Sequence, residues 1–322
     1  MDQREYGDHA ALQDAVWRRR VRESARADVK AMLRGTRRRR VERWLVTAMV
    51  LAATVAVVML LAGVGVFSRG GKAAAPGGGS TDSNALTVVD MDHPFELTPA
   101  AQWADGAAGI EVPPAMQVGE FSAAEVADAT HRVRDVLVAS RLDQAMLRDH
   151  DPSRYLALLA PDNARQLRPL FGTGREQQAQ ALVSMVDKGT TLSRAEPKVK
   201  GTMTVSAGGP GELVVRTNYV FAYAFTADPA QPPVDPMSVV VVVRADIQYV
   251  LLKGTRWTEA SQGLWYRDVN GFFYSISCDA YHKGFIAPAY QDKSQSHSAP
   301  RQDKTTYFNP DAAVPAESGC PN

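Results

Sequence analysis

Residues 212–225 read ELVVRTNYVFAYAF and residues 238–252 read SVVVVVRADIQYVLL. Both stretches are rich in β-branched and aromatic side chains, the types that fit a pleated, half-buried surface. Taken alternately, Leu213, Val215, Thr217, Tyr219, Phe221, Tyr223 and Phe225 share one face of the first stretch. Val239, Val241, Val243, Ala245, Ile247, Tyr249 and Leu251 share one face of the second, with Arg244, Asp246 and Gln248 pointing away. A period of two over this length predicts two long strands, each with one buried and one solvated face. The proline-rich stretch 227–236 between them reads as a loop.

Upstream, Val199, Met203 and Val205 alternate with Lys198, Lys200, Thr202 and Thr204, and Gly208-Gly209-Pro210-Gly211 marks a turn. Downstream, Leu264 to Ile276 reads as a last aromatic strand that bends at Asn270-Gly271. Before the sheet the period is helical. Ser122 stands three residues ahead of Glu125, a capping box, and Phe121 with Val126 makes a hydrophobic staple. Val126, Ala129, Val133, Val136, Leu137, Met146 and Leu147 continue that stripe. Asp151-Pro152 predicts a second start, a capping Asp with proline at the first helical position, leading into Tyr155, Leu156, Leu158 and Leu159. Pro161 to Leu170 reads as a third helix and Arg175 to Val186 as a fourth. Residues 85–120 carry Leu86, Val88, Val89, Phe95, Trp103, Ile110 and Val112 without helical spacing, and read as an extended segment on the domain surface. Helices followed by long antiparallel strands give an α+β domain over 121–282, with helices on one face of a curved sheet.

Residues 44–67 read WLVTAMVLAATVAVVMLLAGVGVF, 24 positions with no charge and no proline. A helix of that length reaches ~36 Å, enough to cross a hydrocarbon core of ~30 Å. The arm 1–43 holds 13 Lys/Arg against 7 Asp/Glu, densest at Arg37, Arg38, Arg39, Arg40 and Arg43, hard against Trp44. Positive flanks stay cytoplasmic, so the expected topology is a basic arm inside, one transmembrane helix, and residues 68–322 extracytoplasmic. Ala73-Ala74-Ala75 resembles a signal-peptidase site, but the apolar core is longer than a leader's and the basic arm is too long. Arg39-Arg40 is followed by Val41-Glu42-Arg43 rather than an apolar pair, which disfavours a twin-arginine leader. Residues 68–84 read as a flexible linker; Gly70-Gly71-Lys72 lacks the spacing of a phosphate loop. From about Ala11 to Leu33 the arm fits an amphipathic helix on the inner leaflet and a disordered basic tail equally well.

Residues 68–322 carry 23 basic and 28 acidic side chains, a poor footprint for nucleic acid. The only cysteines, Cys278 and Cys320, both fall there, and in an oxidising compartment they are expected to form one disulfide that tethers the tail 283–322. The motifs G-x-S-x-G, H-E-x-x-H, C-x-x-C and the dinucleotide-binding fingerprint do not occur. His131 lies beside the helical stripe and reads as a surface residue; Asp149-His150-Asp151 reads as a helix end. Cys278-Asp279-Ala280-Tyr281-His282 brings a carboxylate near an imidazole without completing a ligand set. Asp246 reads as one half of a cross-strand ion pair. The aromatic face Tyr219, Phe221, Tyr223 and Phe225 reads first as core and second as an apolar ligand pocket. No catalytic, cofactor-binding or metal-ligating residue is expected.

The stretch Asp151-Pro152-Ser153-Arg154-Tyr155-Leu156-Ala157-Leu158-Leu159, with the strand pair Glu212–Phe225 and Ser238–Leu252, resembles the cone-shaped fold shared by nuclear transport factor two and the cystatins. The likeness covers about residues 120–280 and is one of architecture. Bitopic bacterial proteins of that build include assembly factors of type IV secretion and conjugation machines and proteins associated with mammalian-cell-entry transporters. The resemblance implies a membrane-anchored, non-enzymatic envelope protein whose outer domain binds other proteins. The alternatives are an outer domain for a lipid or small molecule, an enzyme of the same fold, and a signal relay through the basic inner arm.

Overall fold

The two strands that decide the fold pair along their whole length. A computed structural model describes residues 88–227, 232–291, 304–312 and 320. The basic arm, the expected span over 44–67 and the linker 68–84 lie outside the described residues. Five antiparallel strands, β1 (Ala104–Asp105), β2 (Lys198–Ala207), β3 (Glu212–Ala224), β4 (Val240–Leu252) and β5 (Gly263–Tyr274), lie side by side in chain order. β3 and β4 are in continuous register from Glu212↔Leu252 to Ala224↔Val240. Gly211, at φ 74°, closes the turn from β2 into β3, as the glycine-rich sequence predicts. The expected bend at Asn270-Gly271 is not there: those residues pair normally with Asp246 and Ala245. The irregularity falls three residues earlier, where Arg267 and Asp268 together oppose Gln248 in a bulge.

The inner face of the sheet carries α1 (Ala123–Arg141). Both halves of its capping box form: Ser122 Oγ accepts from Glu125 N, and Glu125 Oε2 accepts from Ser122 N at 2.9 Å. Phe121, Val126 and Ala129 pack with Leu213, while Val133, Val136 and Leu137 enter the main core with β3 and β4. The stripe does not run on to Leu147 as one α-helix. The chain breaks at Leu142, makes a wide helical turn over Ala145–Asp149, and stops at His150 in a left-handed conformation with φ 57°. His150 Nε2 sits 2.8 Å from Val186 O and its ring stacks on Phe285 at 4.9 Å. α2 (Ser153–Ala157) and α3 (Pro161–Leu167) follow. α2 starts one residue later than the sequence predicts, with Asp151 Oδ1 accepting from Ser153 N at 2.9 Å.

The fourth helix expected over 175–186 is absent. A single 3-10 turn, Glu176–Gln178, is followed by an irregular path. The reason is tertiary: Arg141 takes the carbonyls of Gln180 and Ala181, Ser184 N donates to Ser140 O, and Val186 N donates to Leu147 O. Backbone groups that a helix would pair internally are claimed by α1 and its C-terminal turn.

The outer face is not the solvated face that Arg244, Asp246 and Gln248 imply. Phe95, Ala100, Val220, Ala222, Ala224, Val240, Val242, Phe272, Tyr307 and Phe308 form a second buried cluster there. The segment expected to lie extended on the surface supplies part of this cover through Phe95 and Ala100. It then adds β1 to the edge of β2 and sends Ile110 into the main core; Ala107 O and Ile110 O accept from Arg134. The other cover is the C-terminal segment. It contains α5 (Lys304–Phe308), while α4 (Cys278–Tyr281), earlier in the chain, packs with the inner cluster. Tyr307 stacks on Tyr274 at 3.7 Å and on Phe272 at 5.7 Å, and Phe308 meets Trp103 edge-on at 5.7 Å. The expected disulfide Cys278–Cys320 is formed, and Cys320 is buried with the inner cluster. No helix among the described residues is long and apolar enough to cross a membrane.

Closing the 42-residue separation of that disulfide contributes about 4 kcal/mol on the chain-entropy model. Cys320→Ser is expected to lower the unfolding free energy by ~2–4 kcal/mol and to release residues 304–312 first. Limited proteolysis with mass spectrometry would show early cleavage after Tyr307 or Phe308; an unchanged digestion pattern would contradict the clasp. A second expectation concerns acid. Lys253, hydrogen-bonded to Glu125, and then the Ser122 donors hold the Glu125 carboxyl down from its ordinary 4.5 to about 2. Because the folded value lies below the unfolded one, this pairing stabilises the fold above pH 4.5 and is lost as pH falls towards 2. Lys253→Met should therefore flatten the acid limb of the melting temperature between those pH values, and an unaltered slope would rule the pairing out as its source.

Candidate functional site

Three places in the described residues gather polar side chains in unusual surroundings. The first is the outer face of β3 and β4. Asn218 and Arg244 project there from neighbouring strands, between the apolar cluster and the polar middle of the sheet. Asn218 Nδ2 donates to Pro310 O at 2.6 Å, and Arg244 Nη2 donates to Pro310 O at 3.1 Å and Ala312 O at 2.6 Å. Arg244 is only 2% exposed. Burial pulls its pKa down, while Asp246 and Asp311 oppose that shift. Aromatic anchors in apolar seats, with donors on backbone carbonyls, are the means by which a surface holds a peptide. Here the peptide is the chain's own segment 304–312. Asp246 does not point inward as an acid would. It pairs with Arg216 through two bonds, 3.1 Å to Nε and 2.6 Å to Nη2.

The second place lies inside the main core, at the C-terminal end of α1. Arg141 is wholly buried. Its Nη1 donates to Ser184 Oγ at 3.0 Å and Gln180 O at 3.4 Å, and its Nη2 donates to Ala181 O. The Tyr223 hydroxyl stands 3.0 Å from both Arg141 O and Ser184 Oγ. Tyr155 and Tyr249 are also buried, and their pKa values rise because burial penalises the phenolate. Burial likewise lowers the Arg141 pKa, though a guanidinium stays charged at any ordinary pH. Arg141 Nε, Tyr155 Oη, Tyr249 Oη and Gln180 Oε1 have no hydrogen-bond partner among the described residues. Desolvating a cation costs several kcal/mol unless an opposite charge or a full set of acceptors offsets it. All the acceptors that Arg141 reaches are neutral.

The third place is an open cleft of about 660 Å³ beside β1. Asp92, Glu96, Asp105 and Glu196 line it with His93 and Lys198. Lys198 Nζ is 2.8 Å from Asp105 and bonds to Trp103 O at 3.2 Å. The Asp90 carboxylate, 2.8 Å from the His93 ring, raises the His93 pKa through their hydrogen bond. No group of three or more His, Cys, Asp or Glu among the described residues is placed to hold a metal ion.

The residues singled out from sequence scatter. Arg37, Arg38, Arg39, Arg40, Arg43 and Trp44 lie outside the described residues. Tyr219, Phe221, Tyr223 and Phe225 are all fully buried in the main core. His131 is exposed on α1. Asp279 is exposed and His282 half-buried beside Tyr281, while Cys278 is committed to the disulfide. Arg141 escaped the sequence reading, and Arg244 entered it only as a residue of the solvated face. Arg141 stands four residues after Leu137, on the buried stripe of α1, and that placement is the signal for it. No protein-family model, no curated protein and no solved structure matches the chain.

Proposed function

We propose that this chain is a single-pass, membrane-anchored envelope protein whose extracytoplasmic domain binds other proteins as a scaffold in a secretion, conjugation or transport complex. The observation that carries the reading is the outer face of β3 and β4. It grips a short chain segment through Tyr307 and Phe308 and through three side-chain bonds to the carbonyls of Pro310 and Ala312. A surface built to read backbone and aromatic anchors suits a peptide from another protein along the same face. The apolar run 44–67 behind Arg37–Arg40 and Arg43 supports the anchor and its orientation. The helices-then-sheet order supports the likeness to the cone-shaped fold of nuclear transport factor two and the cystatins. The acidic excess of residues 68–322 disfavours nucleic acid as the partner.

Two measurements test it. Protease added to intact spheroplasts should digest residues 68–322 and spare the arm. A photo-crosslinker at exposed Asp311, beside the held segment, should capture envelope proteins in intact cells, whereas one at exposed Asp135 on α1 should capture few. A protected C-terminal portion would overturn the topology. Equal or empty capture from both positions would overturn the assignment of the binding face.

A further inference from the structure

We propose that the buried polar cluster around Arg141 is a binding site for a small carboxylate, independent of any protein docked on the outer face. The argument begins with the geometry of the guanidinium. It has five N–H bonds, and three are used: two from Nη1 to Gln180 O and Ser184 Oγ, one from Nη2 to Ala181 O. Nε has no partner among the described residues, and Nη2 retains a second N–H. Nε and Nη2 lie on one edge of the plane, and their spacing matches the two oxygens of a carboxylate.

The surroundings supply further donors. The Tyr155 and Tyr249 hydroxyls are buried and unpartnered, and both side chains lie close enough to Arg141 to interact with its charge. A third hydroxyl, that of Tyr223, is already used to fix Ser184 and the end of α1. The cluster therefore offers a charged fork and two neutral O–H donors, all of them buried. No carboxylate of the described residues pairs with Arg141, and a bound carboxylate would supply the opposite charge. Water would satisfy the N–H bonds but would not neutralise the cation. Acetate, a carboxylate with a single methyl group, is the probe for such a site.

The test uses the full chain purified in detergent, titrated with sodium acetate and, separately, with sodium chloride at matched ionic strength. Calorimetry and thermal unfolding are the readouts. Acetate should give saturable heat and a saturable rise in melting temperature, and chloride neither. Arg141→Lys keeps a charge but loses the fork, and should weaken acetate binding on the order of tenfold. Tyr249→Phe keeps the ring and removes an unpartnered hydroxyl. Without acetate it should be as stable as the unaltered chain or more so, yet gain less from acetate. This second variant keeps the proposal open to refutation if Arg141→Lys fails to fold. Three results would overturn it: no saturable acetate effect, the same effect from chloride, or acetate binding unchanged in both variants.

Discussion

The fold depends on a pair of strands that must be dry on both faces. Every residue of β4 from Val240 to Ala245 is buried, and so is every residue of β3 from Tyr219 to Ala224. An antiparallel sheet commonly leaves one face to water. Here the odd-numbered residues need one apolar cover and the even-numbered residues need another. α1 and the short helices after it supply the first. The second comes from the segments on either side of the helix-and-sheet core, Phe95 to Trp103 and Tyr307 to Ala312. Arg244 then follows from position. It alternates outward into a covered face, so its guanidinium needs acceptors there, and the carbonyls of Pro310 and Ala312 provide them.

That double cover explains what the sequence made legible. β3 shows its inner face plainly, because Tyr219, Phe221 and Tyr223 alternate with smaller or polar residues. The start of α1 was legible because Ser122 and Glu125 satisfy backbone donors that no other local arrangement would. The outer face was obscured by Arg244, Asp246 and Gln248, three polar residues in the middle of an otherwise apolar row. The contrary signal was the unbroken valine run 239–243, a pattern of strands buried on both sides. The segment 175–186 has helical spacing at Ala179, Leu182, Val183 and Val186, yet Arg141 and the turn after α1 claim its backbone. Local periodicity cannot register a partner 40 residues away. The bulge at Arg267-Asp268 was hidden for a related reason, since Asn270-Gly271 three residues on looked like the softer point.

The tail shows how covalent and packing terms combine. Ordering a residue costs ~1–2 kcal/mol of backbone entropy, whereas burying Tyr307 or Phe308 returns ~1.5–3 kcal/mol each. Two anchors therefore do not secure the nine residues 304–312 without help. The disulfide supplies it from the inner side, with Cys320 in the main core while Tyr307 and Phe308 sit in the outer cluster. Tying the chain to both clusters makes the outer cover part of the folded domain rather than an appendage. It also keeps a peptide beside Asn218 and Arg244, the side chains that read backbone on that face.

The two buried arginines differ in what stands near their charge. Arg244 has Asp246 and Asp311 close enough to raise its pKa against the effect of desolvation. Arg141 has only tyrosines in that role. A neutral side chain of similar volume in a core is often as stable as a buried ion, or more so. An arginine that pins Gln180 and Ala181 through two carbonyls could be replaced in that task by ordinary helix pairing over 175–186. The chain instead gives up that helix, buries a cation beneath the sheet, and sets near it the Tyr155 and Tyr249 hydroxyls, which have no partner among the described residues. Each of these choices is unfavourable taken alone. Together they form a coherent arrangement once an anion of carboxylate shape lies against Nε and Nη2.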